Sequence, residues 1–246
     1  CIAAPATAPC YWPAPNRAAP GQTPNLRVLT ANVYEHRGDP EALLRLVRET
    51  RPDVILLQEF DEVWAERLRA LEAEYPDRLL SPRYPGGGCD LGQYWRGDAA
   101  PPRELANEGL PATETALRIN GRTLRLINVH TAAPFLPGRA RRYHDQLAAL
   151  ARYVASSGDA ILLAGDFNCG HGSRLYRALL REGGLVDARQ GRGVLGSWPS
   201  FLGPLRSSLD HILVSRDIQI VRCWIAPGIG SDHRPLIADL YVPPPE

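Results

Sequence analysis

Four apolar runs in this 246-residue chain each lead into a short polar group, and that pairing limits what the chain can build. The runs cover residues 54–57, 124–129, 160–164 and 218–225. The polar groups at or just past their ends are Leu57-Gln58-Glu59, Asn128-Val129-His130, Gly165-Asp166-Phe167-Asn168 and Ser231-Asp232-His233. Continuous apolar runs of this length suit strands buried on both faces. Carboxylates, amides and imidazoles are costly to bury unpaired. Their recurrence at strand ends predicts one shared, solvent-reached site that holds a hard cation and a phosphate.

Composition narrows the partners. The chain is 44% hydrophobic and 22% charged, ordinary for a soluble globular domain, and has no apolar run near the roughly 18 residues that span a membrane. A net charge of +1 supplies no global field toward nucleic acid. All 28 basic residues are arginine, a coding bias rather than a functional signal. Five cysteines form no CxxC pair and no zinc spacing. Cys1 and Cys10 could bridge in an oxidising compartment. Cys1 followed by Ala/Pro-rich sequence also fits a lipidated N-terminus, hence an extracytoplasmic protein, secreted or anchored at the cell surface.

Residues 1–25 contain six prolines and many alanines, and predict a flexible tether. A single domain is expected over residues 26–246, opening with the strand LRVLTANV. Helices are expected over 40–49, 62–74, 139–155 and 173–182, and strands over 113–119, 123–130, 208–214, 218–226 and 236–242. Asn120-Gly121 between two apolar alternations predicts a hairpin. Residues 82–112, rich in Gly and Pro, read as a long loop or an excursion between strands.

Glu59 and Asn32, at the ends of two strands, suit a Mg²⁺ or Mn²⁺ ion, which keeps several waters and binds few protein groups. Asp166 and Asn168 lie two apart. On extended backbone both would face the same way, Asp166 toward an attacking water and Asn168 toward the phosphate oxyanion. His233 suits a base or charge stabiliser, oriented through its other ring nitrogen by Asp210. His130 could contact phosphate or protonate the leaving oxygen. His211 reads as a packed strand histidine. Arg139, Arg141 and Arg142 form the densest basic cluster, and Arg139 and Arg142 are candidates to bind the substrate's phosphate.

The motifs TAN, LQE, NVH, GDFN, LDHILVS and SDHRP, in this order between Leu26 and Val242, resemble the endonuclease/exonuclease/phosphatase (DNase I-like) superfamily. The resemblance implies a four-layer αββα sandwich, with two mixed sheets face to face and helices outside, and a divalent-metal phosphoesterase. It implies metal binding by Asn32 and Glu59 and catalysis by His130, Asp166, Asn168, Asp210, Asp232 and His233, with Asp232 and His233 as an acid/base pair. One departure stands out: the apolar strand ending in Ser-Arg expected between LQE and NVH is replaced by a Gly-rich stretch whose nearest relic is Trp95-Arg96.

The substrate is less constrained. Similarity to actinobacterial-type extracytoplasmic members, including those linked to glycopeptide-antibiotic resistance, implies a lipid-linked or small phosphate ester. A secreted DNase-type endonuclease acting on nucleic acid and an inactive binding module on the same fold are the alternatives. A monomer is expected, with membrane association through the N-terminus.

Overall fold

Alternate residues of each central strand have different destinations. In β1 (Leu26–Asn32), Val28 points into one apolar cluster and Leu29 into another; Leu56 and Leu57 of β2 (Val54–Gln58) divide in the same way. A strand apolar on both faces must be covered on both, so a layered sandwich follows. The computed structural model describes residues 8–81, 90–105 and 110–245.

The remaining strands are β3 (Asp77–Ser81), β4 (Leu91–Trp95), β5 (Arg103–Glu104), β6 (Ala112–Ile119), β7 (Arg122–His130), β8 (Ala160–Asp166), β9 (Leu185–Asp187), β10 (Asp210–Ser215), β11 (Gln219–Ile225) and β12 (Leu236–Tyr241). They form two six-stranded sheets, ordered β11-β12-β1-β2-β4-β3 and β5-β6-β7-β8-β10-β9. Both are mixed: β1–β2 and β7–β8 are parallel, and the other pairs antiparallel. Val28, Val54 and Leu56 meet Leu124, Leu162, Ile212 and Val214 between the sheets. The outer face of the first sheet carries α1 (Pro40–Thr50) and α2 (Glu62–Arg67), packed through Leu43, Val47 and Trp64. The second carries α3 (Ala140–Ala155) and α4 (Arg174–Glu182), packed through Leu147, Leu150, Tyr176 and Leu179. This is the expected αββα sandwich.

Local signals act as expected at several ends. Asp39 caps α1 by accepting the Ala42 N–H, Pro40 sits in its first turn, and Arg51 closes it in left-handed backbone just before Pro52. Asn120 and Gly121, both with positive φ, turn the β6–β7 hairpin. The expected helix over 62–74 breaks at Leu68 into α2 and a 3-10 segment, Arg69–Ala73.

Two expectations fail. The tether is not free over its second half: Cys10, Ala14 and Asn16 are buried, Asn16 Nδ2 donates to Ile218 O, and backbone bonds join Asn16 and Ala18 to Ile220. Proline makes a chain stiff, and stiff chain loses little entropy on docking along β11. The second failure is in residues 82–112, which supply β4, an inner strand with every residue buried. The proposed lipidation of Cys1 and any pairing of Cys1 or Cys89 lie outside the described residues. Cys10, Cys169 and Cys223 are buried free thiols. No helix among the described residues is long and apolar enough to cross a membrane.

Gly165 fixes the closest approach between parallel strands beneath the polar tips. Its φ is +142°, and a Cβ there would stand 2.0 Å from Val129 O. Gly165→Ala should therefore lower stability by about 2–4 kcal/mol in urea unfolding, because the obstacle is backbone rather than a movable side chain.

Candidate active site

Register decides which residues meet. In parallel β1–β2, Asn32 stands opposite Gln58, so the following Glu59 lies beside it. In parallel β7–β8, His130 stands opposite Asp166, and antiparallel β10 begins at the same level with Asp210 opposite Asp166. The two sheets thus present their polar ends at one end of the sandwich. Beneath them Gln58 Nε2 donates to Asn128 Oδ1 (2.6 Å), and Asn128 Nδ2 donates to Leu57 O and Gly92 O (3.1 Å each). These buried amides satisfy one another across the sheets and lock the two strand-end layers together.

Asp166 is the hub of the site. It is 1% exposed. Its Oδ2 accepts from Asn32 Nδ2 (3.1 Å) and lies 3.8 Å from His233 Nε2 and 4.0 Å from His130 Nε2. Its Oδ1 accepts the Asn168 backbone N–H at 2.8 Å. Burial, reinforced by the Asp210 carboxylate, raises its pKa against the pull of the two imidazoles.

Both imidazoles are backed by a carboxylate. His233 Nδ1 is 2.8 Å from Asp210 Oδ2, the orienting bond expected between them. His130 Nδ1 is 3.1 Å from Asp90 Oδ2, a partner not expected because Asp90 lies in the stretch that read as a loop. Burial opposes protonation of both rings. Asp210 and Asp166 nevertheless raise His233 to about 10, and Asp90 and Asp166 raise His130 to about 9. Asp210 falls below the usual carboxylate range because His233 outweighs its own desolvation.

Three of the expected residues make contacts that the sequence does not indicate. Asp232 does not pair with the His233 ring: its Oδ2 accepts from Trp198 Nε1 (3.1 Å), while its Oδ1 is buried without a partner. His233 is placed instead through its backbone N–H, which donates to Ser231 Oγ (3.0 Å), itself tied to Asn32 O. Asn32 gives Nδ2 to Glu59 Oε1 (2.9 Å) and to Asp166, and its Oδ1 takes the Tyr34 N–H (3.0 Å), so it orients both carboxylates. The chain at Asn168 is not extended. Its φ is +49°, an Asx turn closes onto Asp166, and its Nδ2 donates to Thr131 O. Glu59, at φ +53°, is likewise in left-handed backbone, which turns its carboxylate off the strand end.

The donor set fits a hard divalent cation. Glu59 and Asp232 both line the cleft, and Asp232 Oδ1 is buried without a hydrogen-bond partner, which leaves an oxygen of the kind such an ion takes. Asp166, Asp210 and His233 also meet metal-ligand spacing, but the His233–Asp210 hydrogen bond already uses Nδ1. His171, Asp187 and His211 form a second such group. There Asp187 accepts from Tyr176 OH (2.6 Å) and meets Arg189, and burial with Arg189 pushes His211 down to about 4. His211 Nε2 donates to Cys169 O (2.8 Å), and the Arg189 guanidinium contacts its Nδ1. The cation of that group is an arginine. His211 is the packed strand histidine expected.

The cleft over these residues has a volume of about 1350 Å³. Glu59, His130, Asp166, Asn168, Asp232 and His233 line it, together with Arg139, Arg142 and Arg152 from the α3 side. Asn32 and Asp210 stand behind this lining and act through the residues they hold.

The sequence profile of the Endonuclease/Exonuclease/phosphatase family matches residues 29–233, from β1 to His233. The chain belongs to this family. Its members are hydrolases of phosphoester bonds and generally use a divalent metal. The fold is shared with an endonuclease/exonuclease/phosphatase from Bacteroides vulgatus (TM-score 0.71, 18% identity, 89% of this chain and 99% of that one). It is also shared with a humanized D. rerio TDP2 carrying 14 mutations (0.71, 15%, 87% and 98%). A third likeness is to the mannosyl-6-phosphatase Bt3783 of Bacteroides thetaiotaomicron (0.67, 16%, 88% and 99%). No curated protein matches the sequence.

Raised histidine pKa values carry a stability consequence. A ring held above its ordinary value of 6.5 stabilises the fold fully below that pH, and the contribution is lost as pH rises through the folded-state value. The urea midpoint of EDTA-treated protein should fall between about pH 6.5 and pH 10. His233→Gln should flatten that fall when the two pH profiles are compared.

Proposed function

We propose that the protein is a divalent-metal-dependent phosphoesterase that hydrolyses a lipid-linked or small phosphate ester by in-line attack of water. The observation that carries this reading is one buried, raised carboxylate, Asp166, facing two imidazoles that are each charged by a second carboxylate. Two groups of opposite protonation behaviour in one cleft divide base and acid work between them.

Asp166 takes the proton of the attacking water, for which its raised pKa suits it. His233, held as imidazolium by Asp210, donates from Nε2 to a phosphoryl oxygen and offsets the charge that develops there. His130, held by Asp90, gives its Nε2 proton to the leaving ester oxygen as the P–O bond breaks. The remaining Nδ2–H of Asn168 can reach a second phosphoryl oxygen. Glu59 and Asp232 would hold Mg²⁺ or Mn²⁺, which neutralises phosphate charge when bound. Arg139 and Arg142, exposed at the cleft mouth and without an ion-pair partner among the described residues, suit a further anionic group of the substrate. The cleft volume of about 1350 Å³ exceeds the roughly 300–1,000 Å³ of common small-ligand sites, in keeping with a bulky ester.

The test is turnover of bis-p-nitrophenyl phosphate with Mg²⁺, with Mn²⁺ and with EDTA. Turnover should require the metal, and Asp166→Asn and His233→Gln should each lower kcat about 10²–10⁴-fold. Full activity in either variant would overturn the assignment. Plasmid DNA, phospholipids and polyprenyl phosphates compared in one assay separate substrate classes, and rapid plasmid nicking at low enzyme concentration would favour a nuclease.

A further inference from the structure

Large apolar side chains stand exposed at eight described positions, and five of them fall on two loops: Phe135 and Leu136 on one, Phe201, Leu202 and Leu205 on the other. Phe201 and Leu205 are 78% and 77% exposed. Scattered singly, such residues need no explanation; gathered on two loops beside one cleft, they do.

Both loops spring from the cleft walls. Phe135 and Leu136 line the cleft mouth between β7 and α3. The second loop follows Trp198, which also lines the cleft, and it is fastened there: Ser200 N donates to Asp232 O (2.7 Å) and Ser200 Oγ to Ser231 O (2.9 Å). Its base is closed by a Trp198–Ser207 bridge and by Arg206 Nε donating to Gly196 O (2.9 Å). The apolar side chains are therefore displayed by a held turn, not by a loose segment waiting to fold back.

Each apolar tip has cations behind it. Arg139, Arg141 and Arg142 follow Phe135 and Leu136; among the described residues Arg141 meets a carboxylate, Asp145 at 3.9 Å, and Arg139 and Arg142 form no ion pair. Arg206 lies close enough to Arg234 to depress the latter's pKa, a change led by burial, and neither forms an ion pair among the described residues. Apolar tips backed by unpaired arginines match a layered partner with an apolar interior and an anionic surface.

We propose that this rim is a docking surface for an anionic lipid membrane: the two tips enter the lipid, the arginines meet the headgroups, and the cleft faces a phosphate ester in the same layer. The inference deepens the phosphoesterase reading and rests on it for the purpose of docking. Lipid binding itself is read without turnover.

The test is co-sedimentation of the full chain with vesicles of phosphatidylglycerol and phosphatidylcholine, and with phosphatidylcholine alone. Binding should be at least about tenfold tighter to the anionic vesicles and should weaken as salt screens the arginines. F201S/L205S should lose binding about tenfold yet turn over bis-p-nitrophenyl phosphate as the unaltered protein does. No binding to either vesicle, equal binding to both, or unchanged binding by F201S/L205S would overturn the proposal. So would a dimer in sedimentation velocity that this variant abolishes, since a second copy would then own the surface. Vesicle binding without hydrolysis of any ester would instead defeat the phosphoesterase reading and leave the docking surface standing.

Discussion

A buried carboxylate without a cation beside it is costly, and this structure is arranged around satisfying one. Asp166 ends an inner strand of the second sheet and faces Asn32 of the first. It therefore needs both sheets in register, the Asn168 turn after it, and His130 and His233 on either side. The Gln58–Asn128 contact sets the height of one sheet against the other just below. Absence of a side chain at Gly165 lets β8 approach β7 closely enough for His130 to reach Asp166. Chemistry and architecture share the same few contacts.

The second buried charge group supports the first from behind. Asp187, Arg189, Tyr176 and His211 are closed off from solvent, and burial of such groups is tolerable only because they are mutually paired. His211 follows Asp210 directly, and its bond to Cys169 O anchors the residue after Asn168. Two catalytic positions are thus tied to one neutral imidazole. The N-terminal segment reaches the same region, where Cys10 O accepts from Gly193 N, so its docking along β11 braces this side of the fold.

Strands with strong continuous apolar character were legible because both their faces are buried, and the polar residues ending them were legible because they break that pattern. β4 was not. Leu91-Gly92-Gln93-Tyr94-Trp95 has no run of branched aliphatics; Gly92 and Gln93 are buried there because Phe60 packs on one and Thr113 bonds the other. Trp95-Arg96 also stands at the end of that strand away from the site. β4 runs antiparallel to β2, so Arg96 meets Asp53 and Tyr75 far from the strand tips, whereas Asp90 at its start reaches His130.

By itself the sequence determined the layered sandwich, the family, and the set of residues available for chemistry, since apolar periodicity and polar interruptions are local properties of the chain. Tertiary structure decided pairings that this set left open: Asp90, from outside it, on His130, Asn32 holding the Glu59 and Asp166 carboxylates, and Asp232 held by Trp198. Those pairings depend on strand direction and on turns of positive φ at Glu59 and Asn168. Both bring together atoms far apart in the chain, and no local pattern encodes that distance.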